Sequence, residues 1–304
     1  MKKTILPILL SILVLLSACT PTDKDNQTKE ETDVKTETNM ETESEKESVE
    51  ETEAVGKFGT TTIWSEQLKL DWNVSSYIPD EFDPNNVKVM YMLHGAFGNH
   101  TNFNERTKTV EYLNQYNKKH DQKLIAVFVD GFNSFYIDKN INMESAIVKD
   151  LIPTFEKMNE IKIDRNNRFV SGISMGGYGT LNFMFKHSDL FSKGYAISPV
   201  VAEELDTSVG IGTWNIFYKD GKFDKEAYKN YHPLTNLENN KDKLKDIEVY
   251  LYAGKQDQVV LLDDVNSFLE KAKDKVKIKE KIIDGEHSWD FWDQEIKAIL
   301  ENDI

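Results

Sequence analysis

The sequence predicts an α/β fold with a mostly parallel central sheet and helices on both faces. Short β-rich runs alternate with longer amphipathic runs across residues 57–304. Some short runs, such as Leu124 to Val129 (LIAVFV), are apolar throughout, as strands covered on both faces are. At Gly172-Ile173-Ser174-Met175-Gly176 an apolar strand-like run turns directly into a helix-like one. The chain has 304 residues, enough for one such domain with appendages.

The first residues read as an appendage. Lys2 and Lys3 form a basic start, and the apolar run Ile5 to Leu16 is shorter than the ~20 residues of a membrane span. Leu16-Ser17-Ala18-Cys19 follows and resembles the lipobox of bacterial lipoproteins. Residues 1–18 are therefore expected to be a signal peptide, with Cys19 lipidated and the protein held at the outer face of the cell membrane. An ordinary cleaved signal with a stray cysteine is the alternative. Cys19 is the only cysteine, which excludes an intramolecular disulfide and any thiol chemistry in the domain.

Residues 20–56 carry thirteen carboxylates against four lysines, a net charge of −9, with almost no large apolar side chain. Such a segment buries too little surface to offset its ordering entropy, and like-charge repulsion extends it. Residues 19–56 are expected to be a tether; an acidic binding segment is the other reading. With Lys2 and Lys3 also set aside, −8 of the chain's −15 stays with residues 57–304. An acidic domain with no basic cluster argues against nucleic acid as a partner.

Within the domain, Thr60 to Tyr77 is expected to form one or two strands at an antiparallel edge. Val87 to Leu93 and Leu124 to Val129 are buried strands, with a helix over Thr107 to Lys119 between them. Met143 to Met158 is a helix with Leu151, Ile152 and Phe155 inward. Arg168 to Val170 leads into the glycine–serine turn, and Thr180 to His187 continues the helix beyond it. Lys193 to Ile197 is a strand ended by Ser198-Pro199. Ile247 to Ala253 and Val276 to Ile283 are strands, Leu261 to Ala272 a helix, and Trp289 to Leu300 a closing helix. Residues 199–246 lack a clear period and are expected to form a cap-like excursion. No internal repeat is visible.

Gly172-Ile173-Ser174-Met175-Gly176 has the G-x-S-x-G form of a nucleophile elbow, the strained strand-to-helix turn of the α/β-hydrolases. The turn lifts the Ser174 hydroxyl out of the sheet and aims the first helix amides at the reaction centre. An activated serine needs a base, and the base an orienting acid, in the chain order serine, acid, histidine. Of six histidines, His94, His100 and His120 precede Ser174. His187 ends the helix after the elbow, and His232 lies in the irregular segment before Pro233. His287 follows the last strand, at the sheet edge where sites in open α/β sheets lie, and is the expected base. Asp257, after the preceding strand, is the expected acid and Asp284 its rival. Asp263 and Asp264 read as helix N-terminal charges.

An oxyanion hole needs two backbone N–H donors. Met175, just after the serine, is expected to supply one. Ala96, in His94-Gly95-Ala96-Phe97-Gly98, is expected to supply the other, with His94 as a structural hydrogen-bonding residue. Phe97, Asn133, Ser134, Tyr136 and Trp289 are candidate substrate contacts. For Trp289, Phe291 and Trp292, packing of the last helix is the competing reading, and Asn133 to Tyr136 could equally be a packed turn. No metal-ligand spacing and no glycine-rich phosphate loop appears, so no cofactor and no metal are expected.

These pieces together resemble the esterase D / putative esterase family of α/β-hydrolases. That family includes carboxylesterases, S-formylglutathione hydrolases, feruloyl esterases and mycolyltransferases. The matching stretches are Tyr91 to Asn99 (YMLHGAFGN), Asn133 to Tyr136 (NSFY), Gly172 to Gly179 (GISMGGYG), Gly254 to Asp257 (GKQD) and Gly285 to Trp292 (GEHSWDFW). The resemblance covers most of residues 60–300 and is weakest over 199–246. It implies a serine esterase with Ser174, Asp257 and His287 as triad and Ala96 and Met175 as oxyanion donors. One departure is Ala96 itself, where the family often has a large apolar residue; the backbone donor survives, and the pocket wall is expected to be wider.

The expected activity is hydrolysis of short-chain acyl, acetyl or feruloyl esters, on small molecules or polysaccharide, through an acyl-enzyme. A surface location disfavours an intracellular glutathione thioester. Acyl transfer to an envelope component is the enzymatic alternative, with a peptidase as a lesser one. A non-catalytic binding protein on a hydrolase scaffold is the reading from another class. Oligomeric state is not legible.

Overall fold

Two strands, β1 (Gly56–Ser65) and β2 (Leu70–Pro79), pair antiparallel from Gly56 against Pro79 to Ser65 against Leu70. They form one edge of an eight-stranded sheet in a computed structural model of the chain. The structure describes residues 55–205, 215–244 and 246–304. Residues 1–54, with the expected signal peptide, Cys19 and nearly all of the acidic segment, lie outside the described residues. Among the described residues the first strand starts just before residue 57. Gly56 opens β1, and the Val55 N–H donates to Asn114 Oδ1 at 3.1 Å.

After β3 (Lys88–Leu93) come a short helix α1 (Asn102–Arg106), α2 (Thr109–Lys119) and β4 (Leu124–Val129). The helix expected over Thr107 to Lys119 therefore starts at Thr109, with a separate turn before it. Helices α3 (Met143–Ser145) and α4 (Ile152–Met158) flank a π-helical stretch, Ala146–Leu151. The single helix expected over Met143 to Met158 is widened there for a physical reason. Pro153 has no N–H, and its ring would press on the Lys149 carbonyl one turn back. The backbone moves to i→i−5 spacing, with the Ile152 N–H on the Ile147 carbonyl.

The remaining elements are β5 (Arg168–Ile173), α5 (Met175–Lys186), β6 (Lys193–Ile197), a small hairpin β7 (Tyr218–Lys219) and β8 (Lys222–Phe223), α6 (Lys225–Tyr231), α7 (Pro233–Asn240), β9 (Glu248–Gly254), α8 (Leu262–Ala272), β10 (Ile278–Ile283) and α9 (Trp289–Asn302). The sheet order is β1-β2-β4-β3-β5-β6-β9-β10, and every pairing from β4 to β10 is parallel.

Alternation along the central strands divides the core in two. Val89, Tyr91, Leu93, Ile125, Val127 and Val129 face one layer, with α4, α5 and α8. Met90, Met92, Leu124, Ala126 and Phe128 face the other, with α1, α2 and α9. Both layers being filled explains why β4 is apolar at every position and β3 is buried from Val89 onward. In the 199–246 segment, the described part packs onto α5. Tyr178 Oη donates to the Tyr231 carbonyl at 2.7 Å, and Asn236 donates to Asn182 Oδ1 at 2.8 Å. The rest of that segment, 206–214 and 245, lies outside the described residues.

Candidate active site

Ser174 joins β5 to α5 with φ 54° and ψ −113°, a backbone region that non-glycine residues enter only under constraint. The constraint is local. The Ser174 N–H donates to the Ile197 carbonyl at 2.9 Å, and its carbonyl accepts from the Tyr178 N–H at 3.1 Å. Glycine is required on both sides. A Cβ on Gly172 would collide with the Gly176 carbonyl, and one on Gly176 with the Leu93 carbonyl. The chain thus turns so tightly that α5 begins at the residue after the serine. The first N–H groups of α5 have no intrahelical acceptor and carry the positive end of its dipole.

Two other loops meet Ser174 at the same sheet edge. The loop after β10 carries His287, whose Nε2 lies 2.9 Å from Ser174 Oγ. The loop after β9 carries Asp257, whose Oδ2 lies 2.7 Å from His287 Nδ1. The second Asp257 oxygen accepts from the Val259 and Val260 N–H groups at 2.8 Å each. Gln256 ties these loops together. Its N–H donates to the Gly285 carbonyl at 2.9 Å, and its side-chain oxygen accepts from the Gly285 N–H at 2.8 Å. With a carboxylate accepting at Nδ1, the imidazole proton belongs on Nδ1, and Nε2 is left to accept from the Ser174 hydroxyl.

The structure brings Ser174, His287 and Asp257 into one hydrogen-bonded chain. Asp284 is outside it, with its side chain 81% exposed and paired to Lys255 at 3.4 Å. Hydrogen bonds from Gln256 and then Lys255 hold its carboxyl below the usual range. The other histidines have their own contacts. His100 Nδ1 meets Ser75 Oγ at 2.7 Å, His120 stacks on Tyr116, and His187 Nε2 meets Glu144 at 2.8 Å. His232 is buried against the Val201 carbonyl, and burial lowers its pKa.

His94 is fully buried and links two loops. Its Nδ1 donates to the Gly95 carbonyl at 2.7 Å, and its Nε2 accepts from the Gly131 N–H at 2.9 Å. Gly95 lies against the nucleophile, since a Cβ there would stand 3.5 Å from Ser174 Cβ. Ala96 follows it directly in the same loop, and Met175 opens α5 directly after Ser174.

The candidate substrate contacts separate. Phe97 is 68% exposed, in a left-handed conformation with φ 60°, and its N–H donates to Asn133 Oδ1 at 2.7 Å. Ser134 and Tyr136 point inward, which corrects their reading as substrate contacts. Ser134 Oγ donates to the Gly131 carbonyl at 2.5 Å and accepts from the Tyr136 N–H at 3.1 Å. Tyr136 Oη donates to the His94 carbonyl at 3.0 Å. A tight turn consumes these hydroxyls because its own polar groups are buried and need partners. Trp289 packs edge-on to Trp292 at 5.0 Å with Arg106 over its ring at 5.5 Å, in keeping with the packing reading.

Two residues within the matching stretches make contacts that the motifs do not show. Gln256 holds the acid and base loops in register. Trp292 meets the His287 ring edge-on at 5.0 Å and donates from Nε1 to Ser198 Oγ at 3.3 Å. The Gln256–Gly285 and Trp292–Ser198 contacts join segments distant in sequence, so neither spacing nor periodicity announces them.

Against known proteins, a family model described as "Putative esterase" matches residues 65–302. An acetyl esterase from Caldicellulosiruptor saccharolyticus is 26% identical over 263 residues, covering 78% of this chain and 94% of its own. Among solved structures, a ferulic acid esterase superposes with a TM-score of 0.69 at 22% identity, covering 82% of this chain and 97% of its own. FphF, a fluorophosphonate-binding serine hydrolase of Staphylococcus aureus solved with substrate bound, superposes with a TM-score of 0.64 at 20% identity, over 81% and 97%.

Proposed function

The chain belongs to the putative esterase family and is a serine ester hydrolase, and on that premise we propose that Ser174, His287 and Asp257 hydrolyse carboxyl esters through an acyl-enzyme. The observation that carries this reading is the unbroken run from Asp257 Oδ2 through His287 to Ser174 Oγ, at 2.7 and 2.9 Å. Ser174 Oγ attacks the ester carbonyl as its proton passes to His287 Nε2. Asp257 stays ionised and stabilises the imidazolium that forms. The Ala96 and Met175 N–H groups hold the negative oxygen of the tetrahedral intermediate. On collapse the carbonyl–alkoxy bond breaks, and His287 returns its proton to the departing alcohol. Water then attacks the acyl group with His287 again as base, freeing the acid and restoring Ser174.

For the substrate, we propose short-chain acyl, acetyl or feruloyl esters, free or on polysaccharide. The acetyl esterase relative, matched over nearly its whole length, supports the short acyl end of that range. A panel of nitrophenyl esters of increasing acyl length, with acetylated and feruloylated glycans, tests it on purified protein. Turnover is expected on acetyl or feruloyl esters. Turnover confined to long-chain esters would overturn the substrate class. The same reactions, assayed for free acid against acylated acceptor, separate hydrolysis from transfer.

The leader-like residues support a second part of the proposal, a lipid anchor on Cys19 at the outer face of a bacterial cell membrane, with the acidic segment as tether. Replacing Cys19 by alanine is expected to move the protein from the membrane fraction to the soluble fraction with the turnover of the domain unchanged. A variant that still sediments with membranes after a high-salt wash would show the anchor to be wrong.

A further inference from the structure

We propose that Asn133 is a positioning residue for the oxyanion loop, its side-chain carbonyl setting the direction in which the Ala96 N–H is offered to the substrate. The inference rests on the serine esterase reading above. Two peptide planes meet at Ala96. In the first, the Gly95 carbonyl accepts from His94 Nδ1 at 2.7 Å and from the Gly98 N–H at 3.1 Å. A trans peptide points its C=O and N–H in opposite directions, and no peptide bond here is cis. The N–H of that plane, which belongs to Ala96, therefore faces away from His94 and the loop interior. In the second plane, the Phe97 N–H is taken up by Asn133 Oδ1 at 2.7 Å. That bond holds Phe97 at φ 60°, sparsely populated for a bulky side chain.

Without an acceptor at position 133 the Phe97 N–H turns to water and the left-handed kink relaxes. The adjoining Ala96 plane then loses its aim. Asn133 can hold the loop because its own turn is fixed. The Gly131 N–H is bound to His94 Nε2 at 2.9 Å, and Tyr136 Oη to the His94 carbonyl at 3.0 Å. The turn after β4 thus grips the turn after β3 at both ends of the His94 to Phe97 stretch. Asn133 has no part in the hydrogen bonds that join Ser174, His287 and Asp257; it acts through the loop.

The test compares Asn133→Ala, Asn133→Asp and Ser174→Ala in the full chain, with nitrophenyl acetate as substrate. A trifluoromethyl ketone, whose adduct on Ser174 places a negative oxygen in the oxyanion position, serves as the second probe. Loss of one aligned oxyanion donor costs about 10²- to 10³-fold, so a loosened donor in Asn133→Ala is expected to cost kcat about 10- to 100-fold. Affinity for the ketone is expected to weaken by the same factor, with KM changed less than about twofold, as for an interaction made only in the transition state. Asn133→Asp keeps an acceptor for the Phe97 N–H and is expected to recover most of the kcat.

A raised KM with kcat and ketone affinity intact would make Asn133 a substrate contact and overturn the inference. Equal kcat in the aspartate and alanine variants would also overturn it. Should Asn133→Ala not fold, Asn133→Ser, whose hydroxyl is one atom too short to reach, takes its place. Ser174→Ala separates this inference from the reading beneath it. An inactive Ser174→Ala beside an unimpaired Asn133→Ala overturns the positioning role alone, whereas an active Ser174→Ala overturns both.

Discussion

Replacing Ser174 by alanine is expected to lower ester turnover about 10⁶-fold, the scale set by loss of a triad nucleophile. The substitution removes one oxygen and little else. Ser174 is buried, and its backbone bonds to Ile197 and Tyr178 do not use the side chain. Alanine and serine bear the strain of φ 54° alike, so the fold is expected to persist. The residual rate comes from the Ala96 and Met175 donors and from substrate binding, which survive without a nucleophile. Initial rates on nitrophenyl acetate, with melting temperature as the control for folding, measure the effect. Turnover above a few per cent of the wild type in a clean preparation would remove Ser174 from the mechanism.

Asp257→Asn is expected to fold normally and lose about 10⁴-fold in turnover. The reason lies in how the carboxylate is divided. One oxygen accepts two backbone N–H groups, from Val259 and Val260, and the other accepts from His287 Nδ1. An asparagine must keep its only oxygen on the two backbone donors, because burying them unpaired is costly. Its NH₂ group is then turned to His287 and forces the imidazole lone pair onto Nδ1. The proton moves to Nε2, which can no longer accept from Ser174. Asp284→Asn, at an exposed position paired with Lys255, is expected to change turnover no more than a few-fold. Should Asp284→Asn be the crippled variant and Asp257→Asn close to wild type, the acid assignment is reversed.

Much of the fold was legible in the sequence because its signals are local. Leu124 to Val129 reads as a strand because all six positions are buried, three toward each layer. The elbow reads as a turn because only glycine fits at 172 and 176. The split of Met143 to Met158 into α-helical and π-helical parts was not read, although Pro153 marks where it must occur. For Ser134 and Tyr136 both readings stayed open, because a hydroxyl in a glycine-containing loop looks the same in sequence whether it faces substrate or closes a turn.

By itself the sequence determined the residue types available for chemistry, their order along the chain and the loops that carry them. Those depend on backbone sterics and on the period of apolar residues, which act over a few positions. Only the tertiary structure showed that Asp257, and not Asp284, meets His287, and only it showed that Asn133 meets the Phe97 N–H. Ser174 and His287 stand 113 positions apart, and His287 and Asp257 stand 30 apart. Such pairs meet because parallel strands deliver their carboxyl ends to one sheet edge, and strand order, unlike strand propensity, is set by how both faces of the sheet are covered.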